Sequence, residues 1–266
     1  MAKTSPRIIS VANQKGGVGK TTTTINLGAS LAAKGLRVAI IDLDPQGNAS
    51  TGLGIEHTDR KKTTYDLLLN ELPLSEVLRE TAVPGLLISP ANADLSSADL
   101  EMVSTARRIF LMSDALNASE TSALNLDYIL IDCPPSLNLL TLNAMVASDS
   151  VLVPLQAEFF ALEGLSQLML SVREIRETAN SKLRLEGVVL TMYDRRNNLC
   201  HQVELDVREN LRDLVFKTMI PRNVRLSEAP SYGLPVINYD PTSLGAVAYK
   251  SLATEMRSRH SLQDGA

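Results

Sequence analysis

Short apolar runs alternating with longer helical patterns predict an α/β fold, a single domain with a mostly parallel twisted sheet and helices on both faces. Three observations carry this. The longest apolar runs, such as residues 38–41 and 128–131, have strand length. Helical stretches separate them, as parallel crossovers require. A glycine-rich loop stands between the first strand and the first helix. In order, residues 7–12 read as a strand, followed by that loop and a helix from about Lys20 to Ala33 that Gly35 ends. Further strands are expected at residues 37–42, 86–90, 128–132, 150–155, 185–192 and 215–220, and a last helix over about residues 243–257. No internal repeat, low-complexity segment or Pro/Gly/Ser linker divides the chain, so residues 1–257 read as one domain. The polar tail at residues 258–266 is expected to fray.

Composition narrows the function. The 266 residues are 44% hydrophobic, enough to bury a sizeable core, and with 4% aromatics and no Trp that core must be aliphatic. No apolar run approaches the roughly 18 residues of a membrane span, and residues 1–7 lack a signal peptide's apolar stretch. Cys133 and Cys200 lie far apart, which supports neither a disulfide framework nor a four-ligand metal site. His57, His201 and His260 are scattered and read as surface or loop residues. A cytoplasmic location is expected. The net charge of −4 argues against a uniformly basic surface but leaves room for a local basic patch.

The most specific signal is Lys15-Gly16-Gly17-Val18-Gly19-Lys20-Thr21-Thr22. Glycines let backbone N–H groups approach phosphate oxygens, and the following helix adds the positive end of its dipole. Lys20 is suited to the β/γ-phosphates and the Thr21 hydroxyl to Mg²⁺. The usual G-x-x-x-x-G-K-[ST] pattern wants glycine at position 14, where this chain has Gln14, and Lys15 is a second lysine in the loop. A lysine there can point away from its own nucleotide towards another subunit's phosphates. A dinucleotide-binding turn is the alternative, since Gly17-x-Gly19 leads a helix and Asp42 ends the next strand. Thr22 stands where that motif needs its third glycine, and Lys20-Thr21 would have no role.

Two strand-ending acidic segments accompany the loop. In Ile40-Ile41-Asp42-Leu43-Asp44-Pro45-Gln46-Gly47-Asn48, Asp42 and Asp44 stand two residues apart on an extended segment and point the same way. One can hold the metal's water shell while the other orients attacking water. Pro45 and Gly47 suit a loop that changes shape when a γ-phosphate leaves. Ile129-Leu130-Ile131-Asp132-Cys133-Pro134-Pro135 has the Walker B form, apolar residues ending in a carboxylate that reaches Mg²⁺ through water. Taken alone, either segment could be an ordinary polar strand end. Cys133 reads as a small buried hydrophobe, with no partner base in view.

Together KGGVGKTT, DLDPQGN and LIDCPP resemble the deviant Walker-A type of P-loop NTPase, specifically the ParA/Soj partition family. The likeness continues through EFFALEGLSQ at 158–167, LTMYDRRNN at 190–198 and IPRNVRLSEAP at 220–230, and so covers nearly the whole chain. The resemblance implies an ATPase that uses ATP and Mg²⁺ and forms a face-to-face homodimer when ATP-bound. Lys15 would contact the partner's nucleotide, Gly16 would be small to permit that approach, Asp44 would position water, and Asp42 and Asp132 would support the Mg²⁺ shell. Met192, Pro221 and Asn223 would lie near the adenine. The dimer would associate with the nucleoid through non-specific double-stranded DNA, and a ParB-like centromere-binding protein would stimulate hydrolysis and release it. That cycle segregates chromosomes or plasmids. With about seven residues before the first strand, a short form without an N-terminal DNA-binding module is expected.

The DNA step has partial physical support in Arg195 and Arg196 in one loop and Arg222 and Arg225 in another, with Lys217 nearby. Such groups give sequence-independent, salt-sensitive affinity, although any single surface arginine is more often a solvated charge. Arg60-Lys61-Lys62 reads as a solvated loop, and Arg107-Arg108 as solvated positions within a helical stretch. The nearest rival is a MinD-like ATPase recruited to membranes. It needs an apolar, basic amphipathic terminal helix, and MRSRHSLQDGA supplies little apolar surface after Met256. An iron–sulfur reductase component lacks its cysteine pattern here, and a small-molecule ligase or kinase on the same fold lacks a visible substrate segment.

Overall fold

The computed structural model describes residues 5–158 and 161–264. Phe159 and Phe160 of the EFFALEGLSQ segment lie outside the described residues. Seven strands form one sheet in the order β3-β4-β2-β5-β1-β6-β7. They are β1 (Arg7–Val11), β2 (Val38–Asp42), β3 (Arg79–Glu80), β4 (Leu86–Ser89), β5 (Tyr128–Asp132), β6 (Ser150–Gln156) and β7 (Arg184–Thr191). Every pairing is parallel except the short β3–β4 edge.

The central strands are apolar throughout because helices cover both faces. Alternate residues of β1, β2 and β5 enter opposite cores. Ile9, Val11, Val38, Ile40 and Leu130 pack with Leu27 and Leu31 of the helix Lys20–Ala32 and with Tyr249, Leu252 and Met256 of the helix Leu244–Asp264. Ala39, Ile41, Ile129 and Ile131 face the other way, towards Leu140, Met145, Leu165 and Leu168. The aliphatic core expected from the composition is therefore two layers divided by the sheet.

Three expectations are corrected. Residues 215–220 form no strand. Val215 and Pro221 make only isolated bridges, to Val188 and Tyr193, because a 3₁₀ turn at Arg212–Leu214 brings the chain in beside β7 for single pairings. Residues 258–264 do not fray: the last helix runs to Asp264, and His260 is buried rather than superficial. Its ring joins Tyr128 Oη at 2.8 Å and Glu186 Oε1 at 2.7 Å, and Ser150 Oγ donates to Glu186 Oε2 at 2.6 Å. That closed polar network pins the helix end to the sheet. Finally, Arg107 and Arg108 are exposed, as expected, but sit in a turn between the helices Leu95–Val103 and Leu111–Leu116.

A candidate nucleotide cleft at the carboxyl ends of the central strands

In an open parallel sheet, ligands bind beyond the carboxyl ends of the strands. Here β1 is central, and the glycine-rich loop leaves its carboxyl end between β5 and β6. The loop is anchored from three sides. Asn13 Nδ2 donates to Pro154 O at 2.8 Å, and Asn13 Oδ1 accepts from the Lys15 N–H at 3.0 Å. Thr191 Oγ1, at the end of β7, donates to Val18 O at 2.8 Å. Gly17 and Gly19 have φ of +74° and +88°, a left-handed backbone that side chains resist. Gly19 precedes the helix Lys20–Ala32 with no side-chain cap and no acid in the first turn. The orphan N–H groups of that turn therefore point outward, as an anion site requires.

The lysines divide. Lys20 is buried and its Nζ donates to Lys15 O at 3.0 Å across the loop. Burial lowers its pKa, and Asp132, Cys133 and Asp44 pull it back up. Lys15 is exposed, and its ammonium pairs with Glu158.

The carboxylates follow from the sheet register. Asp42 and Asp132 are direct Cα partners on β2 and β5, so both strand ends deliver an acid to one place. Both are fully buried. Asp42 accepts from Ser50 N at 2.8 Å, Ser50 Oγ at 2.6 Å and, more weakly, Asp44 N at 3.3 Å. Asp132 Oδ1 accepts from Thr24 Oγ1 at 3.1 Å, while its Oδ2 is buried with no partner. Burial raises both pKa values, and for Asp132 the charge of Asp42 adds to the rise. Asp44 is half-buried and its Oδ1 accepts from Gln46 N at 2.9 Å. Burial also pushes the Cys133 thiol up, consistent with an inert hydrophobe.

Of these groups Lys20 and Asp44 border a cleft of about 510 Å³, walled by Gly16, Gly17, Gly19, Lys20, Thr21 and Thr22 on one side and by Asp44, Gln46, Asn48 and Pro135 on another, while Asp42 and Asp132 are buried and, like Lys15, do not line it. Met192 lines it, with φ of +50°. Val18 does not, being packed inward. The structure does not bring Pro221 or Asn223 to the cleft. Pro221 lines a separate cavity because its bridge to Tyr193 draws it there, and the Asn223 side chain caps the helix Val224–Glu228 through the Arg225 N–H. Ala229, Pro230 and Leu234 border the cleft instead.

The donor set suits magnesium held jointly with phosphate. Among the described residues no group of three or more His, Cys, Asp or Glu could hold a metal ion alone. Magnesium usually keeps several waters and takes one or two carboxylates plus substrate phosphates. An unpartnered buried carboxylate oxygen beside the Thr21 turn fits that arrangement.

Several supporting residues carry no sequence signal. Ser50, eight residues after Asp42, satisfies that carboxylate, and Thr191 reaches the loop from 173 residues away. Arg60 corrects the solvated-loop reading: it is 5% exposed and donates to Ile55 O, Thr51 Oγ1 and Ala91 O at 2.8–3.1 Å. Burial lowers its pKa and the charge of Asp42 opposes this. It packs against Gly47, where an added Cβ would stand 2.3 Å from Arg60 Nη1. Only Asn13, a short polar residue at a strand end, has a legible turn role.

The candidate DNA-facing arginines gather on a second cavity, of about 540 Å³. Arg195, Arg196 and Arg222 line it with Met219, Leu244 and Val247. Arg225 is held apart by Glu228 and Asp240, at 2.7 and 3.4 Å.

Comparisons with known proteins agree with this geometry. A family model described as an AAA domain matches residues 6–185. The chain is 56% identical over 253 residues to the chromosome partitioning protein ParA of Caulobacter vibrioides, covering 95% of this chain and 94% of that one. It is 52% identical over 250 residues to the sporulation initiation inhibitor protein Soj of Bacillus subtilis, covering 94% and 98%. Among solved structures, cobyrinic acid a,c-diamide synthase from Mycobacterium smegmatis with bound ADP and magnesium superposes with a TM-score of 0.80 at 35% identity, covering 94% and 93%. The cell division ATPase MinD of Pyrococcus furiosus gives 0.76 at 28%, covering 95% and 98%.

Proposed function

The chain belongs to the ParA/Soj family of chromosome-partitioning ATPases, and on that premise we propose that ATP with Mg²⁺ in the 510 Å³ cleft switches on dimerisation and non-specific DNA binding. The observation that carries the reading is the convergence of Lys20, the open glycine turn and the in-register pair Asp42 and Asp132, one of whose oxygens has no partner.

The first-turn N–H groups and Lys20 hold the β/γ-phosphates. The Thr21 hydroxyl, Asp42 and Asp132 are the residues that would hold Mg²⁺. When bound, Mg²⁺ neutralises phosphate charge and so eases departure of ADP. Asp44, on the cleft wall, orients water towards the γ-phosphate, and hydrolysis yields ADP and phosphate. Met192 borders the nucleotide. Pro221 and Asn223, away from the cleft, are not assigned to the base.

The dimer has support in Gly16. An added Cβ there would meet nothing within 4 Å, and its φ lies outside the left-handed region, so this chain's own fold does not require glycine. A partner's approach would. Lys15, exposed and paired with Glu158 at the surface, can reach the partner's nucleotide. Two copies double the arginine surface and raise avidity for DNA. A ParB-like protein then stimulates hydrolysis, DNA is released, and the cycle moves a chromosome or plasmid.

Sedimentation of the purified protein with a slowly hydrolysed ATP analogue, with ADP and without nucleotide tests the switch. The expected result is a dimer with the analogue alone, lost in Lys15→Ala. A monomer in all three states overturns it.

A further inference from the structure

Two of the four arginines expected to meet DNA, Arg196 and Arg225, are already engaged by carboxylates of their own chain. Asp194 accepts Arg196 Nε at 3.0 Å and Nη2 at 2.9 Å, a two-point grip, and also takes the Arg196 backbone N–H at 3.0 Å. The Arg196 side chain is 88% exposed, so the guanidinium lies at the surface yet is paired. Arg196 and, more distantly, Arg222 hold the Asp194 carboxyl down at about 2, so it stays charged at any working pH. Arg225 is paired with Glu228 through one contact, Nη1 to Oε2 at 2.7 Å, and with Asp240 at 3.4 Å. A two-point carboxylate occupies the same fork of N–H donors that a phosphate would take.

We propose that Asp194 is an internal competitor for DNA phosphate, which occupies the Arg196 fork and sets how tightly this surface binds DNA, with Glu228 acting likewise on Arg225. The inference rests on the DNA-binding reading above. An exposed pair of this kind is weak enough to be exchanged, and it is screened by salt as an arginine–phosphate pair is. Binding DNA therefore trades one anion for another, and the net gain per arginine is small. A single copy with few arginines binds poorly, whereas two copies summed across a dimer bind usefully. Position favours coupling to the nucleotide. Thr191 holds the phosphate loop, Met192 lines the cleft and Asp194 holds Arg196, all within one short segment.

The test is Asp194→Asn in the full chain, measured against a non-specific duplex with a slowly hydrolysed ATP analogue over a salt series. Asparagine keeps an acceptor for the Arg196 N–H, so the turn is retained while the charge goes. The expected result is binding about three- to tenfold tighter at low salt, with the slope of log K against log salt steeper by roughly 0.9, because the freed Arg196 neutralises one more phosphate. In an Arg196→Ala background the gain should vanish, since it acts through that guanidinium. Glu228→Gln should act in the same direction but less, because Arg225 keeps Asp240. Unchanged or weaker binding by Asp194→Asn overturns the inference and leaves Asp194 as a loop-ordering residue. A gain that persists without Arg196 also overturns it, as a general field effect. Should wild type bind in no nucleotide state, the DNA reading itself fails; wild type that binds while Asp194→Asn is indifferent removes only the competitor.

Discussion

The nucleotide cleft and the arginine surface stand a few residues apart in the chain, yet they are built on opposite principles. Around the cleft, supporting groups are buried and several of their partners are distant in sequence: Thr191 with Val18, Asp132 with Thr24, Arg60 with Ala91. On the arginine surface the partners are local and exposed: Asp194 with Arg196, Arg225 with Glu228. The first arrangement fixes geometry, which phosphate chemistry in a dry site rewards. The second leaves geometry loose and makes affinity a matter of counting charges, which suits binding without sequence preference. A single change should therefore be severe in one region and graded in the other.

The largest effect is expected from Lys20→Ala, which removes the buried ammonium at the loop. ATP affinity and phosphate release should each fall on the order of 10²-fold, read by equilibrium titration and a phosphate-release assay. A change of only a few-fold would place the cleft with the graded region and break the contrast. Next is Arg60→Ala, which strands buried acceptors on Ile55, Thr51 and Ala91. Urea denaturation should show a loss of about 2–4 kcal/mol. A loss under about 0.5 kcal/mol would mean that the loop after β2 does not depend on it.

Asp132→Asn sharpens the contrast because its two effects have opposite signs. Asp42 and Asp132 are buried side by side, so removing one charge should stabilise the nucleotide-free protein by about 1 kcal/mol while lowering Mg²⁺-dependent ATP affinity about tenfold. Destabilisation together with unchanged magnesium dependence would count against a metal-holding role. The smallest effect is expected from Arg222→Ala. DNA binding should weaken about threefold and the salt slope should drop by about one, a uniform loss across sequences. Complete loss of binding would show that this surface is as cooperative as the cleft.

How much of this was legible follows the same division. Strands β1, β2 and β5 are nearly continuous apolar runs because both faces are covered, and the acids ending two of them are visible as letters. The glycine loop is legible because its function lies in backbone that glycine alone permits. What was hidden depended on distant partners. Arg60 sits in a run of three basic residues and looks solvated; only the fold brings Ala91 O to it. His260 looks like tail until Glu186 and Tyr128, 74 and 132 residues away, close around it. Residues 215–220 have strand-like composition, but β7 offers them one isolated bridge, Val188 to Val215, and no ladder. The departure of Pro221 and Asn223 from the cleft arises the same way, since a bridge to Tyr193 and a helix cap claim them.

The central claim is that ATP in the cleft turns on a salt-sensitive DNA surface. Its most direct test is binding of the purified protein to a non-specific duplex with ATP analogue, ADP and no nucleotide, each at two salt concentrations. The account predicts binding with the analogue alone, strongly reduced at the higher salt. Equal binding in all three states, or none in any state despite a dimer with the analogue, would contradict it.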